Sequence, residues 1–220
     1  MNIIYEDKKI LVVNKPAGQL VQSAKGFDID LTSEVLNYRK KRGENCYAAV
    51  INRLDRPVSG LVLFAKDKAT AALLSRQMQE EGFCKQYCAL VCGKLPKKTG
   101  EFVDYLKKDA KAGISRVVDK NEPEAKYAKL FYEQIKEINS GEQDFTLVKI
   151  RLVTGRYHQI RAQFASRGLP VFGDSKYSGG KTSETAIPGI ELKKNEIALC
   201  ASYLSAAGQE FSVEPEWLKI

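Results

Sequence analysis

The chain has 220 residues, 44% hydrophobic and 28% charged, and its 35 lysines and arginines exceed its 27 acidic residues to give a net charge of +8. This composition is typical of a globular protein, and no apolar run approaches the roughly 20 residues that a membrane-spanning helix needs. The basic excess suits a polyanionic partner such as RNA or DNA, and it equally suits a basic enzyme without such a partner.

The first part of the chain is predicted to contain two strands and a helix. Residues 3–6 and 10–14 form the strands, joined by the charged turn Asp7-Lys8-Lys9. Residues 32–42 are predicted to be helical, with Thr32 as the N-cap and a basic last turn before Gly43, which suits the helix dipole.

The middle of the chain continues with a strand, a helix and a strand. Residues 61–65 form a buried strand, and Asp67 caps a second helix that ends at Gly82. KQYCALVCG, residues 85–93, is the next predicted strand. Residues 94–126 are basic and polar with few apolar pairs, which indicates loops and edge hairpins.

The last part of the chain is predicted to contain two strands, a helix and a hairpin. The strands are residues 127–138 and 144–153, the helix follows Thr154 as its N-cap and ends at Gly168, and the hairpin turns at Ala207-Gly208. Strands interrupted by a few helices predict an α+β fold with a mixed, mainly antiparallel central sheet. Since no linker divides the chain, we expect one domain over residues 1–220.

The five cysteines predict reduced thiols rather than a metal site. Their number is odd and the first ten residues lack the apolar core of a signal peptide, so we expect a cytoplasmic protein. Cys84, Cys88 and Cys92 would form a stripe on a helix, as in an iron–sulfur site. Their segment has a strand pattern, however, which spreads them over roughly 26 Å. Buried apolar thiols are the better interpretation, and we expect no metal and no cofactor.

An apparent nucleotide-binding motif can be dismissed. Gly180-Lys181-Thr182 resembles the end of a P-loop, but that motif requires a glycine where this chain has Ser175. We expect a flexible loop there.

Three polar clusters remain as candidate functional sites. They are Arg53-Leu54-Asp55-Arg56 with Ser59-Gly60, then Lys85-Gln86-Tyr87, and finally TGRYHQIR at residues 154–161. Taken alone, Asp55 between two arginines is more often a surface ion pair, worth about 0–1 kcal/mol. Taken alone, Tyr87 is more often a tyrosine at the edge of a core.

With one further motif, these clusters give the chain a resemblance to the RluA-type RNA pseudouridine synthases. The matching motifs occur in the family's order and are LVVNKPAG (11–18), NRLDRPVSGLVLFAK (52–66), KQYCALVCG (85–93) and TGRYHQIRAQFASRGLPVFGDSKY (154–177). The resemblance implies the pseudouridine synthase fold, with two halves and an RNA cleft between them. It also implies an isomerisation in which a uridine is flipped out of structured RNA, its N1–C1′ bond breaks, and C5 is joined to C1′.

The resemblance further implies which residues act. Asp55 would be the catalytic carboxylate, Arg161 its partner, and Tyr87 the side chain that holds the flipped uracil and guides proton transfer. A carboxylate can attack C1′, add to the uracil ring or remove a sugar proton, and the sequence does not choose among these steps. A paired guanidinium favours the ionised carboxylate and fixes its direction.

The candidate substrate-binding residues are Arg53, Arg56, Lys85, Arg156 and His158. By resemblance, Arg53 lies near the place that the flipped nucleotide vacates and helps to offset the few kcal/mol that extrusion costs. Arg156 is expected to contact phosphate or stabilise a loop. His158 is expected to form a structural hydrogen bond at the helix start, and Asp174 to hold a turn.

The chain departs from the family's pattern at three places. Asn52 stands where histidine is usual, Val58 where threonine is usual, and Leu199-Cys200-Ala201 where Leu-His-Ala is common. These departures leave the catalytic residues in place and put the RNA target in doubt. Many relatives also carry an N-terminal S4-type RNA-binding domain. We expect none here, because the chain starts at the catalytic domain's first strands.

The sequence therefore predicts a monomeric isomerase that acts on a uridine in rRNA or tRNA, without metal, cofactor or membrane. The alternative is a non-catalytic RNA-binding relative that acts in RNA folding or ribosome assembly. The presence of Asp55, Tyr87 and Arg161 argues against that alternative.

Overall fold

The computed structural model describes residues 1–23, 30–78, 83–141, 143–179 and 187–219. Its contacts divide the chain into two compact units, the first made of residues 1–85, 193–196 and 200–215, and the second of residues 86–192, 197–199 and 216–220. Within the described ranges the helices are α1 (Leu31–Lys41), α2 (Lys68–Gln77) and α3 (Gln159–Ala165). The strands there are β1 (Asn2–Glu6), β2 (Ile10–Lys15), β3 (Ala49–Val50), β4 (Ser59–Ala65), β5 (Cys84–Cys92), β6 (Thr99–Asp109), β7 (Ile114–Val118), β8 (Lys126–Asn139), β9 (Asp144–Leu152), β10 (Leu199–Ala206) and β11 (Gln209–Ser212).

The first unit is built around β4. Its strand order is β1-β2-β4-β10, with β3 also paired to β4 and β11 to β10. Only the pairing of β4 with β10 is parallel among those resolved in this unit's described residues. The sequence of β4, SGLVLFA, is buried along its whole length, as its continuous apolar run predicts. Leu63 of β4, Leu74 of α2 and Leu204 of β10 share one core, which fixes the strand that the Asp55 loop enters.

The second unit is a sheet with α3 packed on one face. Its strand order is β5-β9-β8-β6-β7, and the pairs β9–β8, β8–β6 and β6–β7 are antiparallel. Alternate side chains of β6 turn inward, so Phe102 meets the ring of Phe164 of α3 at 4.9 Å. Leu106 packs with Ala128 and Ala162 in the same way. This packing holds α3 and its polar side chains in place.

Most of the predicted elements are confirmed. The mixed, mainly antiparallel α+β fold is confirmed, as are the strands at both ends of the chain and the hairpin, in which Ala206 pairs with Gln209. Asp67 caps α2, since its carboxylate accepts a hydrogen bond from the backbone N–H of Thr70 at 2.8 Å. No helix in the described parts of the chain combines the length and apolar character needed to cross a bilayer.

Two predicted N-caps are wrong. Asp30 caps α1 by accepting from the Ser33 N–H at 2.7 Å, because it stands three residues before that N–H, whereas the Thr32 hydroxyl donates to the Val21 carbonyl. Thr154 does not cap α3 either. Its hydroxyl accepts from the Lys129 N–H at 2.9 Å and donates to Gln159 Oε1 at 2.8 Å, so it connects β8 to the helix, which begins only at Gln159.

The prediction for residues 94–126 is partly wrong. β6 and β7 do form a hairpin, but β6 is an 11-residue strand that lies between β8 and β7 rather than a loop. Apolar residues stand on both of its sides, Phe102 and Leu106 on one and Val103 and Tyr105 on the other, and the polar residues mixed among them masked the alternation. The predicted helix end at Gly82 and the dismissed motif at 180–182 lie outside the described residues.

Candidate functional site

The candidate site residues are distributed over both units. Arg53, Asp55, Arg56 and Lys85 belong to the first unit, and Tyr87, Arg156, His158 and Arg161 belong to the second. The pairing of Asp55 with Arg161 stays a prediction.

Asp55 lies in the loop between β3 and β4, where it is half-buried between the exposed Arg53 and Arg56. The loop turns sharply after it, since the Val58 N–H donates to the Asp55 carbonyl at 3.1 Å. The chain therefore presents a carboxylate on a short turn that leads directly into a buried strand.

Arg56 connects this loop to the turn after β2. Its Nε donates to the Gly18 carbonyl at 2.9 Å, and the Gly18 N–H donates to the Arg56 carbonyl at 2.7 Å. Gly18 has a φ of +85°, which favours glycine at this position. The two hydrogen bonds fix the Lys15-Pro16-Ala17-Gly18 turn against the Asp55 loop, so two of the motifs quoted from the sequence form one local structure.

Lys15 is a site residue to which the sequence reasoning assigned no role. Its side chain is fully buried, and its Nζ donates to the carbonyls of Pro16 at 2.8 Å, Gln19 at 2.9 Å and Arg56 at 3.4 Å. Burial lowers the pKa of this amine to about 8, while the negative charge of Asp55 acts in the opposite direction. A lysine at the end of an apolar strand, directly before proline, is the signal that could have revealed it.

Asn52 anchors the start of the loop to β4. Its Nδ2 donates to the Leu61 carbonyl at 3.0 Å, and its Oδ1 accepts from the Leu63 N–H at 2.8 Å. The amide thus continues the ladder of hydrogen bonds that the Ile51 N–H begins with the Leu63 carbonyl. Asn52 and Val58 are 5% and 2% exposed. These two departures from the family pattern are therefore buried residues that support the loop rather than residues on its surface.

Gly60 completes the loop on its other side. It has a φ of +115°, and a Cβ placed on it would lie 2.4 Å from the Ala201 carbonyl oxygen. Only glycine allows β10 to approach β4 this closely, which accounts for the glycine at position 60.

Arg161 forms a buried, two-pronged ion pair with Asp174. Its Nε and Nη2 lie 2.6 Å and 2.8 Å from the two carboxylate oxygens, and the side chains are 3% and 1% exposed. The guanidinium also lies 5.1 Å from the centre of the Tyr177 ring. Asp174 holds a turn through its backbone, as predicted, because its carbonyl accepts from the Tyr177 N–H at 3.1 Å. The sequence reasoning missed that its carboxylate fixes the guanidinium.

His158 lies directly before α3 in a left-handed conformation, with a φ of +52°. Its Nδ1 is 3.0 Å from the Tyr177 hydroxyl, whose oxygen accepts from the Ser115 N–H at 2.6 Å. Burial, together with the nearby charge of Arg161, lowers the pKa of this imidazole to about 3. The ring is therefore neutral at physiological pH and suits the structural hydrogen bond predicted for it.

Three other predicted residues have clear local settings. Tyr87 is buried on β5, with 7% of its surface exposed. The Arg156 Nε donates to the Tyr127 carbonyl at 2.8 Å, which matches the predicted role of stabilising a loop. Burial lowers the pKa of Lys85, whose Nζ lies 5.6 Å from the centre of the Phe83 ring.

The cysteines carry free thiols, and Cys84, Cys88 and Cys92 all lie on β5 as expected. Burial raises the pKa of the Cys92 thiol to about 11. Among the residues that the structure describes, no group of histidine, cysteine and carboxylate side chains is arranged to hold a metal ion.

Comparison with known proteins agrees with these motifs. The chain is 33% identical over 179 residues to the ribosomal large subunit pseudouridine synthase C of Rickettsia bellii, covering 81% of this chain and 57% of that protein. It is 31% identical over 181 residues to the uncharacterized RNA pseudouridine synthase YhcT of Bacillus subtilis, covering 82% and 58% of the two chains. The chain thus spans less than two thirds of the length of these relatives.

The fold has a counterpart among solved structures. The human RNA pseudouridylate synthase domain containing 1 superposes with a TM-score of 0.74 at 22% identity, covering 98% of this chain and 83% of that one. The model of the RNA pseudouridylate synthase family matches residues 9–166, which include Lys15, Asp55, Tyr87 and Arg161. Because this match covers more than half of the chain, the protein belongs to the RNA pseudouridylate synthase family.

Proposed function

We propose that this protein converts a specific uridine in structured RNA to pseudouridine, with Asp55 as the catalytic carboxylate. The observation that carries the proposal is the Asp55 loop. Its aspartate stands on a turn that Asn52 and Arg56 hold from both ends, within the residues that the family model matches. A reacting group fixed in this way has little orientational freedom to lose when the substrate binds.

The proposed reaction is balanced within one nucleotide. The N1–C1′ bond breaks, the uracil turns, the C5–C1′ bond forms, C5 loses its proton and N1 gains one. No electron is transferred to another molecule, so the reaction needs no redox partner. We also expect it to need no metal or other cofactor. Attack on C1′, addition to the uracil ring and removal of a sugar proton are the three first steps open to an ionised Asp55.

Arg161 is the proposed partner that keeps Asp55 ionised. A guanidinium beside a carboxylate favours its charged form, and the ion pair with Asp174 fixes the plane and direction of this guanidinium. In the proposal, Tyr87 holds the flipped uracil, and Arg53, Arg56, Lys85, Arg156 and His158 form or support the RNA-binding surface.

The proposed substrate is ribosomal or transfer RNA. The relative from Rickettsia bellii is named for the large ribosomal subunit, which favours ribosomal RNA. We further propose that residues 1–220 act as a single catalytic domain and a monomer, and that the protein works in the cytoplasm, where its free cysteines stay reduced.

The test is pseudouridine mapping across all RNAs of cells that contain or lack the protein. We expect one or a few uridines to lose modification without the protein, and to regain it with the wild-type gene but not with the Asp55→Asn gene. A map that is unchanged when the protein is removed would contradict the proposal. Restored modification by Asp55→Asn would refute the role of the carboxylate, and a growth or ribosome-assembly defect rescued by Asp55→Asn would favour the non-catalytic alternative.

A further inference from the structure

The sheet of the second unit has a second face, opposite to α3, which we call the open face. The register places paired residues of β6, β7, β8 and β9 on the same side, and α3 packs against the side of Phe102 and Leu106. The other side therefore carries the alternate residues. They are Thr99, Glu101, Val103, Tyr105, Lys107 and Asp109 of β6, Ile114, Arg116 and Val118 of β7, Tyr127, Lys129, Phe131 and Glu133 of β8, and Lys149 and Arg151 of β9, continued by Val153.

The open face is unusually apolar and aromatic for a solvent-facing side of a sheet. Val103, Tyr127 and Val153 are 44%, 40% and 52% exposed, and Tyr105 and Phe131 are half-buried beside them. The rings of Tyr105 and Tyr127 meet edge to face at 5.9 Å. Antiparallel sheets usually place polar side chains on the solvated face, so these rings indicate a surface that contacts a partner.

Basic side chains are interleaved with the rings. Lys129 and Arg151 lie over the Phe131 ring, at 4.7 Å and 4.4 Å from its centre. The basic residues of the face outnumber its acidic ones, although Lys129 pairs with Glu101 at 2.8 Å, Lys107 with Glu122 at 2.9 Å and Arg116 with Asp109 at 3.4 Å. Arg156 adds a further exposed guanidinium beside Tyr127, held there by its bond to the Tyr127 carbonyl.

Aromatic rings and cations spaced along a sheet match the chemistry of single-stranded nucleic acid. Bases stack on aromatic and guanidinium planes, and lysine and arginine neutralise the phosphates between them. Strands in a sheet lie about 4.8 Å apart, so the width of the face across β6, β8 and β9 matches the length of a few nucleotides. An apolar protein surface would place no anion beside Lys149 and Arg151, whereas RNA places phosphates there.

We propose that the open face binds a single-stranded RNA segment, with Tyr127 as a stacking platform and Lys149 and Arg151 as phosphate contacts. This inference rests on the proposed RNA substrate and adds to it a second contact surface, on the side of the sheet opposite to α3. The segment would be a single-stranded part of the RNA that carries the target uridine.

The test measures the binding of a labelled, unstructured oligoribonucleotide of about 12 nucleotides, a length that stacking platforms accommodate. We expect Tyr127→Ala to weaken binding about tenfold, as loss of one stacked base does, and Tyr127→Phe, which keeps the ring, to restore most of the affinity. The matched control is Val117→Ala, because Val117 pairs with Leu106 on the opposite side of the sheet and is 37% exposed. It should bind as the wild type does.

The salt dependence of binding tests the charges. Lys149→Gln should reduce the slope of log affinity against log salt by about one, whereas the exposed Lys98, changed in the same way, should leave the slope unchanged. Wild-type affinity and slope in both Tyr127→Ala and Lys149→Gln would overturn the proposal. So would a wild-type dimer that Tyr127→Ala dissociates while RNA affinity stays the same, since the face would then join two copies of the chain.

Pseudouridine formation measured on the same preparations separates this proposal from the proposed function. An active wild type whose open-face variants bind RNA normally would refute only the open face. A wild type that binds the oligoribonucleotide through Tyr127 but modifies no RNA would refute only the isomerase.

Discussion

The Asp55 loop and the start of α3 hold their proposed catalytic side chains in different ways. Around Asp55, the side chains of Lys15, Asn52 and Arg56 bind backbone carbonyls and N–H groups. Around Arg161, one side chain holds another, through the ion pair with Asp174. Loss of an anchor should therefore displace the Asp55 loop at moderate cost, whereas loss of Asp174 removes one partner of a buried, two-pronged ion pair.

The largest expected effect is that of Asp174→Asn. It should lower the free energy of unfolding by about 3–5 kcal/mol, because it removes one partner of a buried, two-pronged ion pair. Denaturant unfolding measures this, and we expect pseudouridine formation to fall further than the folded fraction does, since Arg161 loses its fixed direction.

Asp104→Asn is the matched control for Asp174→Asn. Asp104 also pairs with an arginine near the end of α3, at 2.9 Å, but the Arg167 side chain is 31% exposed. A pair that water reaches should cost only about 1 kcal/mol or less. Equal losses in the two variants would contradict the distinction between a buried and a solvated pair.

The second effect is a pH dependence that His158 causes. Its pKa is about 3 in the folded protein against an ordinary value of 6.5, so between these values the unfolded chain binds more protons than the folded chain. Stability should therefore fall as the pH is lowered through this window. Unfolding measured against pH should show a weaker acid dependence in His158→Gln. The same dependence in both proteins would contradict a buried, neutral imidazole.

The third effect tests the anchor of the Asp55 loop. Asn52→Ala should lower the free energy of unfolding by about 2 kcal/mol, since it leaves the Leu61 carbonyl and the Leu63 N–H without their partner. We expect kcat to fall more than RNA affinity, because the loop is displaced but the RNA-binding side chains remain. Asn139→Ala is the control, as it removes an exposed amide that bonds to Asp144. Equal losses in both variants would show that the buried Asn52 amide contributes no more to stability than the exposed Asn139 amide does.

The smallest effect is that of Arg56→Lys. The lysine keeps the charge but lacks the Nε that donates to the Gly18 carbonyl, so we expect a loss of about 1 kcal/mol. A thermal melt measures the loss. If Arg56→Lys lowers RNA affinity as much as Arg56→Ala does while stability stays the same, Arg56 acts on RNA and not on the turn.

Many elements of the fold and residues of the candidate site could be predicted from local sequence patterns. The strand β4, the Asp67 cap and the clusters around Asp55 and Arg161 depend on neighbours in the chain, so their residues could be named in advance. The mixture of polar and apolar residues on both sides of β6 hid its strand, because Phe102 and Leu106 alone give a sparse alternation. The two wrong N-caps had plausible hydroxyl groups that bond elsewhere, to Val21 and to Lys129.

The roles of Lys15 and Asp174 depend on partners distant in the sequence and could not be predicted. Lys15 reaches the Arg56 carbonyl 41 residues away, and Asp174 pairs with Arg161 across the turn that follows α3. No local periodicity encodes such contacts, because tertiary packing alone brings the groups together.

The most direct test of the account is single-turnover pseudouridine formation by purified wild type and Asp55→Asn on an RNA that contains a mapped target uridine. RNA binding and unfolding are measured on the same preparations. We predict that Asp55→Asn is folded, binds the RNA with an affinity close to that of the wild type and forms no pseudouridine. Pseudouridine formation by Asp55→Asn at the wild-type rate would contradict the account.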